Sequence, residues 1–203
     1  MHPAQPIALY GFKLSGHSHR AELMLRLLKL PFRFETIDLP NGAQRSESFR
    51  RMNPFCTVPV IDDGGTVVTD SVAILVYLAQ RYDQDRTWLP TDAVAAAEVQ
   101  RWLSTAQGWL AFGPARARVI LKFGGKFDLD AAQTLAQRLF QVLEGALADR
   151  TFLVGEKPSL ADIALYSYTA VAPEGGVPLS PYPAIQSWLK RVEALPNFEG
   201  MPQ

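Results

Sequence analysis

A single cysteine, Cys56, stands among 203 residues. That excludes an internal disulfide framework, a Cys-x-x-Cys redox pair and a multi-cysteine metal site. Charge of one sign is not in excess, with Lys plus Arg at 20 and Asp plus Glu at 20. Such a chain has no positive field to gather nucleic acid or an anionic membrane, so neither is expected as a partner. No apolar run approaches the roughly 18 residues of a membrane-spanning helix. No basic stretch leads into an apolar run near the first residue, so no secretory leader is expected and the location expected is cytoplasmic. Internal repeats and low-complexity tracts are missing too. What is present is a chain that is 48% apolar and 20% charged. At roughly 100–200 residues per domain it allows one or two domains, each with a sizeable core.

The first 82 residues alternate between two periodicities. Ile7–Phe12 is short and strand-like. After the polar stretch Lys13–His17, the span Arg20–Leu30 puts Leu23, Leu27 and Leu30 on one helical face. Pro31 should end that helix, because proline disfavours helical backbone at the residue before it. Phe32–Leu39 alternates as a second strand, so the first two strands should pair in parallel. Pro40–Pro54 is polar and irregular, with a short helix expected at Ser46–Met52. Val58-Pro59-Val60-Ile61-Asp62 is an apolar run that proline confines to an edge, a first position or a special backbone. Asp63-Gly64-Gly65 signals a hairpin, with Thr66–Thr69 returning. Asp70-Ser71 then precedes an apolar helix over Val72–Tyr82.

Asp83–Asp92 is polar, contains Pro90 and should link two regions. The rest is helical in pattern. One long helix is expected over Ala93–Phe112, a second from about Asp130 to Ala148, and a last one over Tyr182–Leu195 with Ile185, Trp188, Leu189 and Val192 inward. Ser159-Leu160-Ala161-Asp162 has the form of a capping box. The order β-α-β-α-β-β-α followed by helices predicts a thioredoxin-like α/β domain over residues 1–82, a linker over 83–92 and an all-α bundle over 93–203.

Asn53-Pro54, Val58-Pro59-Val60-Ile61, Asp70-Ser71 and Ser159-Leu160-Ala161-Asp162, in this order and with these gaps, resemble the soluble glutathione S-transferases, bacterial-like and of the serine type. The resemblance runs from about Ile7 to Phe198. It implies that glutathione is the co-substrate, that no metal is needed, and that the chain forms homodimers. The stretch Phe49–Phe55 carries apolar residues suited to such an interface. His17 and His19 share one loop without a carboxylate pattern around them, and no metal site is expected there.

The resemblance also implies a site. The Val58–Pro59 bond should be cis, leaving the Val58 backbone to pair with the peptide ligand as an added strand would. Ser71, at a helix start, suits the γ-glutamyl carboxylate, and Asp70 suits its ammonium. Asp and Ser are also ordinary helix caps. The thiolate-facing hydroxyl should be Ser15, in a segment similar to Ser-x-x-Ser-x-Arg. Ser18 is expected as the helix N-cap. Tyr10 and Ser18 are rivals for activating the thiol.

Thr57 departs from the Lys or Gln common in bacterial relatives, so the glycyl carboxylate falls to Thr57, Gln44, Lys13 or Arg45. Cys56 could form a mixed disulfide with glutathione or be an inert turn residue. For the electrophile, the resemblance points to His17, Trp109, Phe112 and Arg116, with Phe123 nearby. Arg116, Arg118, Lys122 and Lys126 form a basic run that is either a solvated face or a preference for anionic substrates. Asp162 is expected to serve the fold.

The reaction implied is attack of the glutathione thiolate on a hydrophobic electrophile. Two alternatives stand beside it. One is glutathione-dependent isomerisation of the maleylacetoacetate kind, whose members usually have Ser-Ser-Cys where Ser15-Gly16-His17 stands. The other is a partner-binding module of this fold that has lost glutathione.

Overall fold

The structure is a computed structural model that describes residues 2–202. The chain divides into two compact units. One runs up to Arg86 and includes the tail from Pro196; the other is Thr87–Leu195.

The first unit is built from β1 (Ile7–Gly11), α1 (Gly16–Leu27), β2 (Phe32–Thr36), α2 (Glu47–Met52), β3 (Val60–Asp63), β4 (Thr66–Thr69) and α3 (Ser71–Tyr82). The four strands form one mixed sheet in the order β2-β1-β3-β4. The β1–β2 pair is parallel, and the two remaining pairs are antiparallel. Ile7, Ala8 and Leu9 are successive and all buried, as expected of a central strand covered on both faces. Strand β2 stops at Thr36, short of the expected Leu39, because its partner β1 ends at Gly11. The hairpin turns on Gly64 and Gly65 at φ 60° and 95°, the positive values that a two-residue turn of this hand requires.

Helix α1 begins a full turn earlier than its apolar pattern suggests. Ser15 caps it, accepting the Ser18 amide at 3.3 Å. The helix also ends before Pro31 exerts any effect. Lys29 turns left-handed at φ 54°. The Lys29 and Leu30 amides then donate back to the Arg26 and Leu25 carbonyls, a Schellman closure with lysine in the place usually held by glycine.

The second unit is all helical: α4 (Ala93–Thr105), α5 (Pro114–Phe123), α6 (Leu129–Leu147), α7 (Leu160–Ala170) and α8 (Pro183–Glu193). The single helix expected over Ala93–Phe112 is interrupted. A π turn occupies Ala106–Leu110, and Gly113 then leaves helical backbone at φ −94°, ψ −100°. Gly113 packs so closely on α6 that a Cβ would lie 2.9 Å from the Ala136 amide nitrogen. Pro114 starts α5, a position where its missing N–H costs nothing. Trp102, Phe140, Leu143 and Trp188 are fully buried in this unit. The four inward residues expected on α8 are all buried.

Asp162 anchors this second core. It is fully buried and accepts the Leu153 amide at 3.0 Å, the Ser159 amide at 2.8 Å and the Trp188 indole N–H at 2.8 Å. The Ser159 hydroxyl donates to it at 3.1 Å. Burial pushes its carboxyl above the ordinary carboxylate range, while these donors pull the other way. The tail beyond Leu195, read in the sequence as the end of the helical region, packs with the first unit. The Glu199 carbonyl lies 2.8 Å from His19 Nε2, and its carboxylate lies 2.8 Å from Arg26.

Candidate functional site

The register of the sheet collects three loops at one end of it. Tyr10, next to the last residue of β1, pairs with Val60, the first of β3, and Val60 pairs with Thr69, the last of β4. The segment after β1 holds Ser15 and His17. The segment before β3 holds Thr57, Val58 and Pro59. The segment after β4 holds Asp70 and Ser71. Gly11 closes β1 where a Cβ would come within 3.0 Å of Ser18 and 2.9 Å of Phe34, so α1 can begin hard against the strand.

Ser15 is half-buried. As N-cap its Oγ accepts the Ser18 amide. A hydroxyl that accepts still has its proton to give, which suits it to donate to an anion. Ser18 is not the cap: it is buried, and its Oγ accepts the Phe12 amide at 3.1 Å. The earlier start of α1 accounts for the exchange. Tyr10, the other rival, lies within the ladder between Glu35 and Val60.

Behind Ser15 is a cluster that sequence patterning left unread. Arg20 is fully buried. One guanidinium nitrogen donates to Ser71 Oγ at 2.8 Å and lies 3.4 Å from His17 Nδ1. Nδ1 is also 3.3 Å from Ser71 Oγ. Because guanidinium can only donate, Nδ1 must be the acceptor and the ring proton sits on Nε2. Burial and the neighbouring Arg20 charge push the His17 pKa down to about 3. His17 is therefore a neutral hydrogen-bonding group at physiological pH, not a solvated loop histidine.

Ser71 is buried and engaged through its hydroxyl as described. Asp70 has φ 72°, a left-handed value that is costly for a residue with a Cβ. It caps α3, its Oδ1 accepting the Val72 and Ala73 amides at 2.9 and 3.0 Å. The Val58–Pro59 peptide is cis, and Val58 takes no part in the β3 ladder, which begins at Val60.

Thr57 is held from behind by buried Asn53, whose side-chain amide donates to the Thr57 carbonyl at 2.7 Å and to its hydroxyl at 3.1 Å. Asn53 Oδ1 also accepts the Phe55 amide, so this side chain shapes the whole loop. Cys56 in that loop is half-buried, at φ 54°, with Sγ 3.7 Å from the Pro54 carbonyl. Gln44 lies in a short 3-10 turn with its Oε1 buried and unpartnered. Lys13 is taken up by Glu22 at 3.0 Å and stacks over Phe34. Of the stretch read as a dimer surface, Phe49 is buried and Phe55 is 83% exposed.

On the second unit, Trp109 stands on the π turn and Phe112 just after it, both about half exposed. Arg116 stacks on Phe112 at 4.4 Å and on Phe127 at 4.8 Å. Phe127 was missed by the sequence pattern. Phe123 instead faces Arg118, at 5.3 Å. Among the described residues there is no group of three or more His, Cys, Asp or Glu that could hold a metal ion, and no helix is long and apolar enough to cross a membrane.

A thioredoxin-like α/β part with a cis-proline loop beside a capped helix, followed by an all-helical part, defines the class of fold. Models of the glutathione S-transferase N-terminal and C-terminal domains match residues 14–81 and 102–196. Glutathione S-transferase theta-1 of Bos taurus is 36% identical over 198 residues, covering 93% of this chain and 82% of that one. Theta-2 of Mus musculus is 32% identical, with 95% and 83% covered.

Among solved structures, a glutathione S-transferase from Pseudomonas fluorescens has a TM-score of 0.92 at 34% identity, covering 98% of this chain and all of that one. A glutathione transferase homologue from Drosophila mojavensis, solved with bound glutathione, has a TM-score of 0.82 at 30% identity, covering 94% and 89%. The chain belongs to the glutathione S-transferase family.

Proposed function

We propose that this glutathione transferase is of the serine type, with Ser15 holding the glutathione sulfur as thiolate for attack on a hydrophobic carbon electrophile. The C–S bond forms, the leaving group departs with the electron pair of the bond that breaks, and the thiol proton goes to solvent. The observation that carries the reading is the state of Ser15. It caps α1 as an acceptor, keeps its proton, and lies at the sheet end that also presents Val58 and Ser71. A thiol with pKa near 8.5 must fall by about two units to be mostly ionised at neutral pH, roughly 2.7 kcal/mol. The N-terminus of α1 and one hydroxyl donor act in that direction.

The peptide part of glutathione lies along Val58. Its γ-glutamyl end meets Ser71 and Asp70, whose backbone and carboxylate are fixed by α3. Gln44, whose side-chain amide carries two N–H donors, is assigned the glycyl carboxylate. His17 and Arg20 hold the Ser71 hydroxyl. Trp109 and Phe112 supply apolar surface for the electrophile. The chain acts as a homodimer, and exposed Phe55 lies in its interface; Phe55→Ser should shift the species seen by analytical ultracentrifugation toward monomer.

Calorimetric titration of reduced glutathione, with thiolate absorbance followed against pH, tests the central reading. Wild type should bind and show a thiol pKa near neutrality. Ser15→Ala should still bind, with the thiol pKa raised by about one unit, the helix N-terminus keeping the rest of the shift. An unchanged thiol pKa in Ser15→Ala would remove Ser15 from the mechanism.

A further inference from the structure

The basic run on the second unit resolves into two unlike halves. Arg118 is buried and shares Glu174 with Lys122, at 2.6 and 2.8 Å. These two cations share one carboxylate. Arg116 does not share it. No ion pair reaches it among the described residues. It is half-buried and lies in the first turn of α5, where no acidic residue stands. A cation at that end opposes the helix dipole. What holds it is a pair of phenyl rings, Phe112 and Phe127, with centroids 4.4 and 4.8 Å from the guanidinium carbon. Those rings are themselves 49% and 56% exposed.

We infer that Arg116 is a specificity-determining residue: it anchors the carboxylate or sulfonate of a planar aromatic electrophile. The stacked rings fix the plane of the guanidinium and reduce the rotamer freedom that binding must remove. The fork of donors then faces a partner that the fold does not supply, and an oxyanion matches it in pairs. The exposed faces of Phe112 and Phe127 take the aromatic body of the same ligand. This choice of substrate class rests on the electrophile site proposed above lying on the helical unit.

Two nitroaromatics that differ by one carboxylate test it without any reaction. Calorimetry should show 3,5-dinitrobenzoate binding wild type about tenfold more tightly than 1,3-dinitrobenzene, as expected for a hydrogen-bonded charge pair. Arg116→Met should erase that preference and leave the affinity for 1,3-dinitrobenzene within about twofold. Arg116→Lys should keep part of it, since the charge remains and the planar fork does not.

Equal affinities in wild type, or a preference retained in Arg116→Met, would overturn the inference. Should Arg116→Met fail to fold, Arg116→Gln takes its place, and a preference retained there would equally overturn the inference. Conjugation of glutathione to 1-chloro-2,4-dinitrobenzene is measured beside it. Loss of that activity bears on the transferase reading, and the binding preference does not depend on it.

Discussion

Ser15 and Ser159 begin their helices in the same way and end up with opposite fates. Each is an N-cap whose Oγ accepts an amide of the first turn, at 3.3 Å in both cases. Ser159 is buried, and its hydroxyl proton is spent on Asp162. Ser15 is half-buried and has only its acceptor side engaged by the fold. A cap closed by a capping box stabilises a core. A cap without the box leaves a donor that a ligand can use. With Ser15 in its proposed role, the two units separate stability from chemistry at the level of one hydroxyl proton.

The sharpest way to break this contrast is to remove Asp162. With its carboxylate gone, the Trp188 indole, the Leu153 amide and the Ser159 amide lose a buried acceptor together. An exposed cap costs about 0.5–2 kcal/mol. Here several buried donors are orphaned at once, and Asp162→Ala should cost about 3–5 kcal/mol in urea unfolding. A loss below about 1 kcal/mol would mean that the network is slack and that the contrast with Ser15 is false.

The two serines sharpen it next. Ser159→Ala should cost about 2 kcal/mol and Ser15→Ala under about 1 kcal/mol, the upper and lower parts of the range for cap losses. Their effects on the thiol should be reversed, with Ser159→Ala leaving the pKa of bound glutathione unmoved. Melting curves and thiolate absorbance on the same two variants provide both readings.

Much of this was legible beforehand, and the reasons differ by residue. The hairpin at Gly64-Gly65 and the box at Ser159-Asp162 are local codes, complete within four residues. The α8 stripe is a periodic code. The early start of α1 was hidden because its first turn, Gly16-His17-Ser18-His19, has no large apolar side chain, and Ser18 and His19 are buried through hydrogen bonds instead of apolar contact.

Arg20 was hidden for the same reason. An arginine reads as solvated until a residue 51 positions away, Ser71, is seen to accept from it. The break at Gly113 depends on α6 pressing against it, which no local pattern records. The pairing of Phe127 with Arg116 spans a loop and has no spacing rule.

His17 gives the last and smallest test of the polar cluster. Its pKa is lowered in the folded protein to about 3, against 6.5 for a free histidine side chain. Between those values the unfolded chain binds a proton that the folded one refuses. Stability is therefore complete above about pH 6.5 and falls as pH drops toward 3. At pH 5 the loss from this one ring is at most about 2 kcal/mol, from 1.36 kcal/mol per unit. His19, whose pKa is also lowered by burial, adds loss of the same sign as pH falls below the ordinary histidine value.

His17→Gln keeps a hydrogen-bonding side chain that cannot titrate. It should reduce, without abolishing, the slope of stability against pH between about 5 and 6.5. Glu174, held low by Lys122 and Arg118, loses its contribution only at more acid pH and does not confuse that window. An unchanged slope would mean that His17 titrates as it does in the unfolded chain, and that the buried Arg20–Ser71 pair does not hold its ring neutral.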